Sequence, residues 1–187
     1  MTRPAARLEL GAAVVAVIAL SIWVGGLVAL GACAAPIVFK VVPAPLSGDA
    51  MGAVFRRFDS LAIGAAVIVL GCEAVRMWVR DGLATNAERV RAALVVAAAA
   101  AAIYGGVKLS PSIVALHAAG AVRGFGESGA ELERLHAQAE GVAKAEVSMG
   151  LLLLALQITT LRRPPVDPPQ ANQPETGADT GASEKTA

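Results

Sequence analysis

Two histidines carry the sharpest chemistry in this chain of 187 residues. His117 and His136 are centred on the glycine-rich stretch Gly124-Phe125-Gly126-Glu127-Ser128-Gly129. In an antiparallel helical hairpin that turns there, the two imidazoles stand at similar height on facing helices. Glu140 follows His136 by one helical turn, and Glu133 precedes it by three residues. Two imidazoles with a carboxylate form a metal-binding set, and a histidine pair can also hold haem iron. The plainer reading makes His117, His136 and Glu140 ordinary polar residues of an exposed hairpin, since two histidines without close spacing are a weak metal signature. Metal and haem are the only cofactors these residues suggest, and neither is favoured.

The glycine stretch matches the dinucleotide-binding fingerprint letter for letter. That fingerprint needs a preceding strand and a helix whose free N-terminus meets the pyrophosphate. Here the preceding segment reads as helix and Glu127 would repel a phosphate, so a hairpin turn is expected. No serine–histidine–acid set, phosphate loop or carboxylate cleft is apparent, and nothing compels an enzyme. Seven aromatic residues and a net charge of +1 argue against a nucleic-acid partner. Cys33 and Cys72 form no CxxC or disulfide framework.

The elements that must position these residues follow from hydropathy. Hydrophobic residues make up 56% of the chain and charged ones 17%, against about 25% charged in an ordinary soluble domain. Mean hydropathy is +0.61. From Leu10 to Phe39 no residue is charged, which exceeds the roughly 20 residues a helix needs to cross a bilayer. Three shorter uncharged runs follow, Leu61–Cys72, Ala92–Val107 and Val147–Leu161. Extending the first of these to Val79 brings Glu73 and Arg76 inside a span, where charged residues are functional candidates by default. They lie three apart on one helix face and can pair. Their nearness to the span end favours a structural ion pair, with Trp78 and Arg80 at the interface.

These runs predict an all-α bundle of four transmembrane helices over residues 1–163, with spans of about 10–35, 61–79, 92–107 and 147–161. Pro36 should end the first span. Leu46 to Phe58 reads as a separate amphipathic helix on the membrane surface, and Asp59 as the N-cap of the second span. Asp81-Gly82 and Asn86 supply turn material before span three. The alanine run Ala97–Ala102 contributes little transfer energy to lipid, so span three should pack among its neighbours. Ser110-Pro111 reads as a helix start. From there two amphipathic helices, the second with Leu132, Leu135, Ala139 and Val142 on one face, should form a hairpin extension between spans three and four. Residues 164–187 hold half of the ten prolines and no aromatic residue, and are expected to be disordered.

Ser21, Gly25, Ala29 and Cys33 form a ladder of small residues at every fourth position of the first span, and Gly26 adjoins it. Small side chains let helices approach in lipid, either within the chain or in a homo-oligomer. Trp23 lies near the middle of that span, where its ring should fill a gap between helices. Leu30-Gly31-Ala32-Cys33 also looks like a lipoprotein cleavage box, but the apolar run is about twice the 7–15 residues of a signal core. Basic residues favour the side carrying both termini, eight against seven, and the seven are spread along longer segments. A multi-pass protein of the cell (inner) membrane with both termini in the cytoplasm is the expectation.

Trp23-Val24-Gly25-Gly26, Ala35-Pro36-Ile37-Val38-Phe39, Phe55-Arg56-Arg57-Phe58-Asp59 and Leu135-His136 together resemble the pattern of the transmembrane protein 205-like family, a membrane domain of unknown function. The resemblance runs from the first span to the end of the fourth. It implies four membrane helices and no established reaction. It also argues against cleavage before Cys33. The expected role is therefore non-enzymatic: scaffolding, packing or passage of a small solute. A metal- or haem-linked redox protein using the histidine pair is the alternative.

Overall fold

The computed structural model describes residues 3–43, 46–79 and 84–161. The expected disorder of 164–187, the basic pair at 162–163 and the interfacial Arg80 lie outside the described residues. Among the described residues the chain is helical, without strands. Its helices are α1 (Arg3–Val28), α2 (Ala35–Val41), α3 (Leu46–Val79), α4 (Asn86–Tyr104), α5 (Ser110–Ala118) and α6 (Gly126–Leu161).

These six segments build four long rods, each long and apolar enough to cross a membrane. A π-helical turn, Ala29–Ala34, joins α1 to α2, and a second, Gly105–Leu109, joins α4 to α5. The rods contain 38, 34, 33 and 34 residues within their span boundaries, about 50 Å or more each, so every rod overshoots a hydrocarbon core of about 30 Å. Around the bundle α1 packs on α3 and α6, and α4 packs on the same two helices.

The rods are longer than the uncharged runs suggest, and the prolines explain why. A proline inside an α-helix loses one hydrogen bond and clashes with the carbonyl four residues back. Pro36 and Pro111 each stand two residues after a π-helical turn, where the bonding is re-spaced: Ala35 N–H reaches Leu30 O and Ser110 N–H reaches Gly105 O. Five-residue spacing widens the turn that receives the ring, and the rod continues. Neither proline is therefore a helix end. Leu46 to Phe58 is likewise the first part of α3, not a separate surface helix, because nothing in that segment breaks the helix before Asp59. Asp59 is thus mid-helix and caps nothing. At α4 the N-cap is Thr85, whose backbone N–H donates to Glu88 Oε2 at 2.8 Å in a capping box, so Asn86 begins the helix instead of turning before it.

Alanine dominates the core. Ala19, Leu20, Trp23, Ala62, Ala65, Ala66, Val69, Val95, Ala98, Ala99, Ala102 and Leu153 form one buried cluster. Three of the six residues in the run 97–102 face inward, setting α4 closely against its neighbours. Gly26 makes room for the Phe58 ring of α3, and Gly150 for Val24 of α1. The expected stripe on α6 is present as well: Leu132 and Leu135 are buried, Ala139 and Val142 half-buried. Thus the extension between spans three and four is the continuation of the spans themselves.

Candidate functional site

Apart from Ser47 at the start of α3, buried polar side chains gather in two layers, one near each end of the apolar stretch. The first lies beside the α3–α4 connection. Arg91 of α4 donates from Nε to both carboxylate oxygens of Glu73 on α3, at 3.0 and 2.9 Å, and from Nη2 to Oε1 at 2.8 Å. Both residues are buried. Burial of two ions is costly, and this multiple hydrogen bonding offsets much of the cost. Arg76, one turn from Glu73, stands 3.9 Å from its carboxylate and 3.9 Å from Glu9 of α1. Its Nη1 donates to Gln157 Oε1 of α6. All four rods therefore contribute to this layer. Arg76 Nε and Gln157 Nε2 are buried with no partner among the described residues.

The pairing of Glu73 with Arg76 expected from sequence is present only as the longer contact. Arg91 is the close partner, and neither Glu73 nor Arg76 reaches out to solvent: each is 4% exposed. Trp78, by contrast, is 82% exposed on the same helix.

The second layer is acidic and sits about 21 Å lower along α3, fourteen residues from Glu73 to Asp59. Trp23 Nε1 of α1 donates to Glu146 Oε2 of α6 at 3.0 Å, both side chains being buried. Ser110 Oγ of α5 donates to Asp59 Oδ2 of α3 at 2.5 Å. The second π-helical turn lies between them. A Cβ on Gly105 would stand 3.8 Å from Glu146 Oε1, and one on Gly106 would stand 3.1 Å from Asp59 Cβ. Gly106 thus lets Asp59 and Ile63 of α3 pack against the α4–α5 backbone, whereas the space beside Gly105 would accept a methyl group. Trp23 lies in the buried core cluster and also holds an acid. Sequence reasoning missed Glu146, which stands immediately before the uncharged run of the fourth span. Between the layers lie Leu20, Val69, Val95 and Leu153, all at most 2% exposed.

The hairpin brings His117 and His136 together, with ring centroids 5.7 Å apart and the planes inclined by 65°. Glu140 is turned to Lys144, 2.7 Å away. Among the described residues no group of three or more histidine, cysteine or acidic side chains is arranged to hold a metal ion. The fingerprint stretch forms the turn into α6, with positive φ at Gly124 and Gly126, and Gly120 ahead of it also has positive φ. Gly129 is required there because the Val122 carbonyl lies against its Cα. The small-residue ladder Ser21, Gly25, Ala29 and Cys33 faces outward along its whole length and packs on no other rod of the chain, whereas the neighbouring Trp23 and Gly26 face the bundle. Ser21 Oγ donates back to Val17 O at 2.8 Å.

Four apolar rods with ionisable side chains enclosed between them define the class: a multi-pass α-helical protein of the bilayer. Within that class the chain belongs to a family described as a domain of unknown function (DUF4149), whose profile matches residues 18–121. The match runs from the second half of α1 to the end of α5 and includes Trp23, Asp59, Glu73, Arg76 and Arg91. Comparison with curated proteins and with solved structures gave no match.

Proposed function

We propose that the chain serves as a non-enzymatic structural module of the membrane, a rigid four-rod scaffold. One observation carries this reading: Glu73, Arg76, Arg91, Glu146 and Gln157 each bind a side chain on another helix. Buried polar pairs of this kind fix register between helices more than they add stability. The dry layer of Leu20, Val69, Val95 and Leu153 between the two polar levels speaks for packing over passage of a solute. The test is ion flux in proteoliposomes containing the full-length protein and a pH-sensitive dye. Leakage equal to that of empty vesicles supports the scaffold. Proton or potassium flux abolished by Glu146→Gln overturns it.

A second reading rests on the 5.7 Å approach of His117 and His136. A transition metal held by both imidazoles and completed by solvent would make the hairpin a metal site. Metal analysis and a visible spectrum of the detergent-purified protein, with His117→Ala/His136→Ala beside it, decide the matter. Equal metal content in both proteins removes this reading.

Three finer attributes accompany the scaffold proposal. Membership of the transmembrane protein 205-like branch is supported by Trp23 to Gly26, Ala35 to Phe39 and Phe55 to Asp59, all inside the matched residues. Residence in the inner membrane with both termini in the cytoplasm is supported by the basic residues flanking the spans. Self-association is supported by the outward faces of Ser21, Gly25 and Ala29.

A further inference from the structure

We propose that Arg76 and Gln157 form a binding site for an anionic phosphate group, supplied by the headgroup of an anionic phospholipid that reaches the bundle beside Glu9. The starting point is what the protein leaves unmade. Arg76 Nε and Gln157 Nε2 are buried and have no partner among the described residues, their own residues being 4% and 1% exposed. Both are donors. A guanidinium N–H and an amide NH2 can be satisfied only by acceptors, and beside a fixed positive charge the fitting acceptor is an anion.

The acids already present do not fill that role. Glu73 accepts from Arg91 with both of its oxygens and stands 3.9 Å from Arg76. Glu9 Oε1 also stands at 3.9 Å, beyond hydrogen-bond reach, and its side chain is 36% exposed. Glu9 thus covers the outer edge of the site without bonding into it, and a phosphate oxygen entering on that side would displace it.

The depth of the site selects a lipid. Glu9 is the last charged residue before the uncharged run that begins at Leu10, so this level lies where hydrocarbon gives way to headgroups. Trp78, two residues beyond Arg76, marks the same boundary by its exposure. Arg7 and Arg89 are exposed at this end and add positive potential. Basic pockets between membrane helices at headgroup depth are suited to anionic lipids.

The test uses the full-length protein, delipidated in neutral detergent and titrated by calorimetry with dioctanoyl phosphatidylglycerol, dioctanoyl phosphatidylcholine or inorganic phosphate. Phosphatidylglycerol should bind more tightly than phosphatidylcholine. Arg76→Gln should weaken it by about ten- to a hundredfold, the effect of one lost charge-assisted hydrogen bond. Glu9→Gln should strengthen it by removing the competing carboxylate. If inorganic phosphate binds as tightly as phosphatidylglycerol, with the same dependence on Arg76, the anion site stands and its source is the aqueous phase. Equal affinity for both lipids in wild type and both variants overturns the proposal, leaving water as the partner of the two donors. Should Arg76→Gln fail to fold, Glu9→Gln decides alone: tighter binding of phosphatidylglycerol supports the site, and unchanged or weaker binding overturns it.

Discussion

Arg91 grips both carboxylate oxygens of Glu73, joining α4 to α3 at a level where neither ion meets solvent. Removing one partner strands the other charge. Arg91→Ala should therefore lower stability by about 3–5 kcal/mol, while Glu73→Leu/Arg91→Leu should recover only part of that loss, because buried Arg76 then keeps Glu9 alone, at 3.9 Å. Arg91→Lys should fall between, because an ammonium cannot match the bidentate fork. Thermal unfolding in detergent, followed by circular dichroism, measures all three. A double variant as unstable as the single one would contradict the account.

Trp23 donates the hydrogen bond that buried Glu146 accepts, and Phe cannot supply it. Trp23→Phe should cost about 1–3 kcal/mol by leaving the carboxylate unpaired. Glu146→Leu placed in that background should restore part of the loss. Since Trp78 is exposed, a Trp78→Phe protein reports on Trp23 alone, and its emission should shift on Glu146→Leu.

Gly129 lies under the Val122 carbonyl, a backbone atom that cannot rotate away as a side chain would. Gly129→Ala should cost about 1–3 kcal/mol and loosen the α5–α6 turn. Faster amide hydrogen exchange across residues 119–125 is the expected signature, with exchange in α3 unchanged.

Cys33 is exposed and continues the outward row of Ser21, Gly25 and Ala29. If two copies meet on that row, mild oxidation of vesicles should link Cys33 to Cys33, and Gly25→Leu should abolish the product. A monomer under both conditions rules the seam out.

The four rods were legible in the sequence because the bilayer excludes charge, and uncharged runs mark where it does. Their true lengths were not. Pro36 and Pro111 read locally as a stop and a start, and only the π-helical turns before them, which depend on packing along the whole rod, reverse that reading. The histidine approach could be read from symmetry about the glycine turn. The same arithmetic reaches Arg91, which is as far after Gly82 as Glu73 is before it. Its position at the edge of an uncharged run made it look like a flanking loop charge. Glu146 was hidden in the same way by Val147. Where a run begins tells which residues avoid lipid, but not whether the charge beside it faces water or the bundle.

The π-helical turn Gly105–Leu109 has a consequence for the far end of the third rod. A π turn amounts to one residue inserted into an α-helix, and each residue advances the helix by about 100°. Were the same residues to wind as regular α-helix instead, everything beyond them would be rotated by about that amount. His117 would swing out of phase with His136, and Ser110 would turn away from Asp59. The azimuth of the whole distal hairpin is set by a single supernumerary residue.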